Sequence, residues 1–142
     1  MVNINTMEKW SVFDKNIYFE DYFESEIIFS DDDILKIILF DDKKRIKVDF
    51  GWILGFRVLD EGIVQNGVYY NMDELKRLKE KHFCNVIYIL EDGEFGDFIV
   101  ETASGFWEKS QIKHLAVITP NYNIDIVTNH LPDVEEEILA EQ

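Results

Sequence analysis

From Arg45 to Leu59 the chain alternates with a period of two. Ile46, Val48, Phe50, Trp52, Leu54, Phe56 and Val58 are apolar, and the positions between them are Arg45, Lys47, Asp49, Gly51, Ile53, Gly55 and Arg57. Successive side chains of a strand point to opposite faces, so this pattern predicts one long strand with a core-facing side and a mostly wet side. Gly51 and Gly55 fall on the wet side, where a bend or bulge is easiest. Before it, Ile34 to Phe40 reads as a more buried strand, and Asp41-Asp42-Lys43-Lys44 is a polar hairpin turn. Ser25 to Phe29 is a further strand ending at Asp31-Asp32-Asp33, which completes a three-strand antiparallel meander.

The period then changes. After a turn at Asp60-Glu61-Gly62, Asn71 reads as a helix N-cap, with Asp73 and Glu74 favourably placed in the first turn. Met72, Leu75, Leu78 and Phe83 share one side of that helix, and Lys76, Arg77, Lys79 and Lys81 are solvated. Asn85 to Leu90 reads as a strand. A second helix is expected at about Phe95 to Ala103, with Phe95, Phe98, Ile99 and Thr102 at helical spacing and Gly105 as its stop. Lys113 to Thr119 and Ile124 to Thr128 form a last hairpin across Pro120-Asn121-Tyr122-Asn123. A short helix is expected from Asp133 to Ala140, whereas residues 8 to 23 fit either a helix or an irregular covering segment. The class that results is α+β: a mostly antiparallel sheet of five or six strands with two or three helices packed on it.

No repeat, low-complexity tract or Pro/Gly/Ser-rich linker divides the 142 residues, so a single domain over 1–142 is expected, with a core of ordinary size. The first residues lack the basic and apolar regions of a secretory signal, and no apolar run approaches the roughly 20 residues of a membrane-spanning helix. The one cysteine, Cys84, has no internal disulfide partner and fits a reducing, cytoplasmic setting. It reads as a small buried apolar group or, with His82 nearby, as a thiolate.

Charge narrows the partners. The net charge is −15 and is unevenly spread: nine acids against two bases in 1–33, eight against ten in 34–84, and twelve against two in 85–142. Phosphate contacts dominate nucleic-acid affinity, so this balance argues against DNA or RNA as a partner, and equally against an anionic membrane surface. It suits a cationic protein, whose encounter the field would steer, or it serves only solubility.

Candidate chemistry is sparse. His82, His114 and His130 stand far apart, no C-x-x-C or H-x-x-x-H pair exists, and Asp31-Asp32-Asp33 lacks the glycine and bidentate glutamate of a calcium loop. No metal, cofactor or catalytic residue is therefore assigned. Gly93 and Gly96 lie among acids that would repel a phosphate. Asp125, flanked by Ile124 and Ile126, is outward-facing, or buried with a fixed partner, or catalytic. If Thr119 pairs with Ile124, His114 lies roughly 13 Å along the sheet from Asp125, and no contact is expected.

From Val86 onward the order of features becomes specific, and an upstream stretch joins it. Val48-Asp49-Phe50 precedes Phe56-Arg57-Val58-Leu59-Asp60-Glu61-Gly62; Val86 to Gly93 and Ser104-Gly105 follow; then come Ile112 to Thr119, Asn121 to Asn123, Ile124-Asp125-Ile126-Val127 and Pro132. Over residues 46–134 this order resembles immunity proteins of bacterial polymorphic toxin and contact-dependent growth inhibition systems. Arg57, Asp60, Glu61, His114 and Asp125 stand at its signature positions, and Leu115 replaces the usual aromatic. The resemblance implies a non-catalytic protein that binds and neutralises a cognate, cationic, nuclease-type toxin in the cytoplasm. Contacts would then be exposed acids around an aromatic anchor. Glu91, Asp92, Glu94, Asp97, Phe106, Trp107 and Glu108 form one such patch, with Trp107 equally placed as core, and Asp31, Asp32 and Asp33 form another. The alternatives are an acidic adaptor domain, or a small-molecule enzyme using Asp125, His114 or Glu61.

Overall fold

The computed structural model describes residues 8–64, 67–81 and 85–139. Its elements, in chain order, are β1 (Lys9–Val12), β2 (Glu24–Phe29), β3 (Ile34–Phe40), β4 (Lys44–Trp52), β5 (Gly55–Asp60), α1 (Glu61–Val64), α2 (Met72–Lys79), β6 (Ile87–Glu91), α3 (Glu94–Thr102), a 3-10 turn (Lys109–Gln111), β7 (Lys113–Ile118), β8 (Tyr122–Thr128) and β9 (Asp133–Ile138). The α+β, antiparallel class holds. The strands number nine among the described residues, and they form two sheets instead of one, ordered β1-β6-β7-β8-β5 and β2-β3-β4-β9.

The long alternating segment explains the second sheet. Its apolar period continues to Val58, but the chain turns at Ile53-Leu54 and passes from the four-stranded sheet into the five-stranded one. Ile46, Val48 and Phe50 are buried on the inner face of β4. Beyond the corner, Phe56 pairs with Ile126 and Val58 with Ile124, on the same inner side. Gly51 stands at φ 64° and the β3–β4 register shifts between Leu35 and Lys36, so the strand bends where the glycine permits it. Three bonds fix the corner: Ile53 N–H to the Asp33 carbonyl at 3.0 Å, Leu54 N–H to the Val127 carbonyl at 2.8 Å, and Thr128 Oγ1 to the Trp52 carbonyl at 2.8 Å.

Burial divides the molecule into three layers. One cluster lies between the sheets, with Leu35, Ile37, Leu39, Ile46, Val48 and Phe50 facing Ile87, Leu115, Val117, Ile124 and Ile126. A second lies between the outer face of the five-stranded sheet and the helices, and includes Trp10, Tyr69, Leu75, Leu78, Tyr88 and Ala116. Asn71 caps α2 as expected, its side chain accepting the Glu74 N–H at 3.1 Å, and Leu75 and Leu78 are the buried helical positions. In α3, Phe95 is buried, but Phe98 faces outward although it shares the helical spacing.

Several segments differ from expectation. The tail from Asp133 is a strand, not a helix: β9 pairs along β4, with Val134 opposite Val48 and Glu135 opposite Lys47. The local run of glutamates is outweighed by the hydrogen-bonding groups of an otherwise open β4 edge. The ambiguous residues 8–23 split into β1, paired with β6, and a covering segment that buries Ile17, Phe19 and Phe23. Asp60-Glu61-Gly62 leads into the short α1. His82, Phe83 and Cys84, and the expected helix end at Ala140, lie outside the described residues.

Gly51→Ala places a β-carbon in the left-handed region and 3.1 Å from His130 Nε2. We expect about 1–2 kcal/mol of lost stability, read as a lower urea midpoint at unchanged slope.

Candidate functional site

The site grows from the β7–β8 register. Ile118 pairs with Asn123 and Ala116 with Asp125, so the register is shifted by two residues from a pairing of Thr119 with Ile124, which would have set Asp125 opposite Ile118. His114 then lies only two residues from the partner of Asp125, and on the same face. A step of two strand residues is about 7 Å, which the two side chains span. His114 Nε2 lies 2.8 Å from Asp125 Oδ1, with the residues 3% and 0% exposed. The expectation of no contact is therefore corrected, and of the three placements for Asp125 the buried one with fixed partners holds.

Asp125 Oδ2 accepts from Arg57 Nε at 3.2 Å, from Arg57 Nη2 at 3.0 Å and from the Tyr69 hydroxyl at 2.8 Å. Arg57 comes from the neighbouring β5, directly opposite Asp125. Its Nη1 reaches Glu94 Oε1 at 2.7 Å, and its guanidinium stacks over the Phe95 ring at 4.7 Å. A buried carboxylate loses its hydration and persists only where donors replace it. Burial by itself lowers the Arg57 pKa, but the attraction of Asp125 and Glu94 outweighs it, so the guanidinium is held charged more firmly than usual. Burial, and then Asp125, push the Tyr69 hydroxyl far upward, which keeps it a proton donor to that carboxylate.

A second buried carboxylate sits beside this group. Glu8 is 0% exposed, and its carboxylate accepts from Trp10 Nε1 at 2.9 Å and from three backbone N–H groups: Asn71 at 3.0 Å, Tyr70 at 3.3 Å and Glu94 at 3.1 Å. Asn71 is the N-cap of α2 and Glu94 the first residue of α3. One negative charge thus satisfies orphan donors at two helix starts, where the helix dipoles favour it. Glu8 was not among the expected site residues; its one sign in the sequence is an acid two positions before the buried Trp10.

Beside this cluster opens a pocket of about 430 Å³, lined by Glu91, Asp92, Asp97, Lys109, Ser110 and His114 among others. Lys109 Nζ bridges Asp92 Oδ1 at 2.5 Å and Asp97 Oδ1 at 3.3 Å. His114 Nδ1 is buried against Gly93 and Gly96 and has no hydrogen-bond partner among the described residues.

The expected contact residues fall in two regions. Glu91, Asp92 and Asp97 meet at the pocket mouth, whereas Glu94 turns inward to Arg57. Glu108 is exposed and caps the 3-10 turn together with Gln111. Trp107 is half-buried, with its ring 6.2 Å from that of Trp52, and Phe106 is exposed. Asp31, Asp32 and Asp33 form the exposed β2–β3 turn; Ile34, which follows, pairs with Trp52. The Asp33 carbonyl accepts the Ile53 N–H at 3.0 Å, so the turn lies beside the strand end that carries Trp52. Among the described residues no group of three or more His, Cys, Asp or Glu is arranged to hold a metal ion, and no helix is long and apolar enough to cross a membrane. No family model, curated protein or solved structure matches the chain.

Replacing Asp125 by Asn leaves Arg57 and His114 without their shared anion, and breaking a buried pair from one side costs about 3–5 kcal/mol. Urea unfolding of Asp125→Asn measures this; a loss under 1 kcal/mol would show that the network contributes little. Gly93→Ala sets a β-carbon 2.5 Å from His114 Nδ1. Because Asp125 pins that ring, we expect a further, separate loss of about 1–3 kcal/mol, with the His114 ring resonances displaced in NMR spectra.

Proposed function

We propose that the chain is an immunity protein: a stoichiometric inhibitor that binds a cationic, nuclease-type toxin and holds it inactive. The observation that carries this reading is the segment from Glu91 to Glu108. It contains six acids and no base. Phe106 stands 87% exposed within it, and Phe98 53% exposed. Large aromatic groups left in water among carboxylates are the composition of a protein-docking surface for a basic partner. Carboxylates substitute for the phosphates that a nuclease cleft is built to bind, and they steer the encounter.

The interior cluster supports the same reading from the other side. Both oxygens of Asp125 are committed to partners within the chain, so it holds the scaffold and is not free to take a proton from a substrate. Glu94, tied to Arg57 and Glu8, fixes the start of α3, and α3 carries Asp97, Phe98 and Glu101 outward. The α3 part of the patch is thus presented on a helix fixed at its start, which reduces the ordering cost of association, and Phe106 follows in the turn after it.

Co-expression with the toxin encoded in the adjacent reading frame should protect cells, and the two proteins should co-elute from gel filtration at low salt. Phe106→Ala should weaken the complex about 30-fold or more, as for an aromatic anchor. Glu101→Lys with Glu108→Lys should slow association and flatten its salt dependence. Failure to protect, together with no complex at low salt, would falsify the reading.

A further inference from the structure

The pocket beside α3 has Leu90, Ile112 and two glycines in its wall, and its polar groups are mostly acceptors. Glu91, Asp92 and Asp97 line its mouth, and among the described residues one cation, Lys109, stands against these three carboxylates. At its inner end, His114 has Nε2 bound to Asp125 Oδ1 at 2.8 Å. The carboxylate takes Nε2–H as its donor, so in the neutral ring Nδ1 is the acceptor. Among the described residues Nδ1 has no hydrogen-bond partner, although the residue is only 3% exposed. Buried acceptors are ordinarily satisfied, so an unpaired one that borders a pocket marks a place for a donor. The glycines at 93 and 96 keep that edge of the ring free of side chains.

Lys109 behaves as an internal stand-in. Its ammonium lies between Asp92 and Asp97, yet its side chain is about half exposed. The hydrogen bond to Asp92, with Asp97 behind it, raises its pKa, and Asp97 contributes, after burial, to raising that of the Tyr70 hydroxyl at the same rim. An exposed pair of this kind contributes little stability, so another cation displaces it at small cost.

We infer that this pocket receives a basic side chain of the partner, a guanidinium or ammonium group, which takes the place of Lys109 between Asp92 and Asp97 and directs its N–H donors toward His114. A group made only of donors matches the carboxylates and the ring nitrogen that this pocket offers, and the planar guanidinium fork spans two carboxylates. The inference rests on the inhibitor reading for the identity of the partner, but not for the chemistry of the pocket.

The test uses the whole chain with methylguanidinium chloride as probe and potassium chloride at equal ionic strength as control, followed through the histidine ring resonances. The His114 signals should shift saturably with methylguanidinium and not with potassium, while His130 stays still. Lys109→Met should tighten binding at least threefold by vacating the carboxylates, and Asp97→Asn should weaken it at least fivefold. A merely structural Lys109 predicts the reverse for Lys109→Met, and that result, or His114 shifts equal to the potassium control, overturns the inference. A toxin bound equally well by wild type and Asp97→Asn, with no change at His114, removes the pocket from the interface while the inhibitor reading stands. Methylguanidinium binding with no toxin binding keeps the cation pocket and rejects the inhibitor reading.

Discussion

Two carboxylates, Glu8 and Asp125, are taken wholly out of water, and the layer above the five-stranded sheet is organised around supplying them with donors. Neither can be left partly satisfied, because the desolvation penalty of an ion far exceeds the stabilisation any single hydrogen bond provides. Asp125 draws Arg57 from β5, His114 from β7 and Tyr69 from the segment before α2. Glu8 draws the first N–H of α3 and two N–H groups at the start of α2. Glu94 joins the two systems, giving its amide to Glu8 and its carboxylate to Arg57. Position and orientation of α3 therefore follow from electrostatics as much as from apolar packing, and its outward acids inherit that order.

The architecture permits this because polar and apolar demands are segregated by layer. Between the sheets the contacts are almost purely aliphatic and aromatic, an environment in which an ion pair would be poorly tolerated. The polar cluster sits on the opposite face of the same strands, where helix N-termini and ring hydroxyls are within reach. Strand alternation does the sorting: Ile124 and Ile126 point to one side and Asp125 to the other. The flanking isoleucines that make Asp125 look misplaced in a linear reading are the residues of the other layer.

Much of the fold was legible along the chain. The β2–β3–β4 meander, the Asn71 cap and the two main helices follow from period, capping and turn chemistry. What was not legible depends on long-range pairing. The alternation from Arg45 to Leu59 is continuous, so nothing local says that its two halves serve different sheets; only the pairing of β5 with β8 and of β4 with β9 reveals it. The glutamates at 135–137 favour no strand by themselves, and become one because β4 offers an edge. The site depended on a register. Pairing 118 with 123 in place of 119 with 124 separates a buried His–Asp pair from two unrelated residues. Of the acids singled out for partner binding, Glu94 could not be told from its neighbours, since its role is set by an arginine 37 positions earlier.

The completion of the four-stranded sheet by β9 also sets an order on folding. Val48 pairs with Val134, 86 positions further along the chain. While the polypeptide is being made, the meander can form early, but the β4 edge then waits with its backbone donors and acceptors open until residues 133–138 have emerged. An unpaired edge beside a hydrophobic face is where nascent chains associate wrongly. Lys44, Arg45 and Lys47 along that strand place like charges on any two such edges that meet, and the glutamates of β9 are their opposite. The strand thus carries a charge code that delays partnership with other nascent copies and reserves the place for its own late-arriving segment.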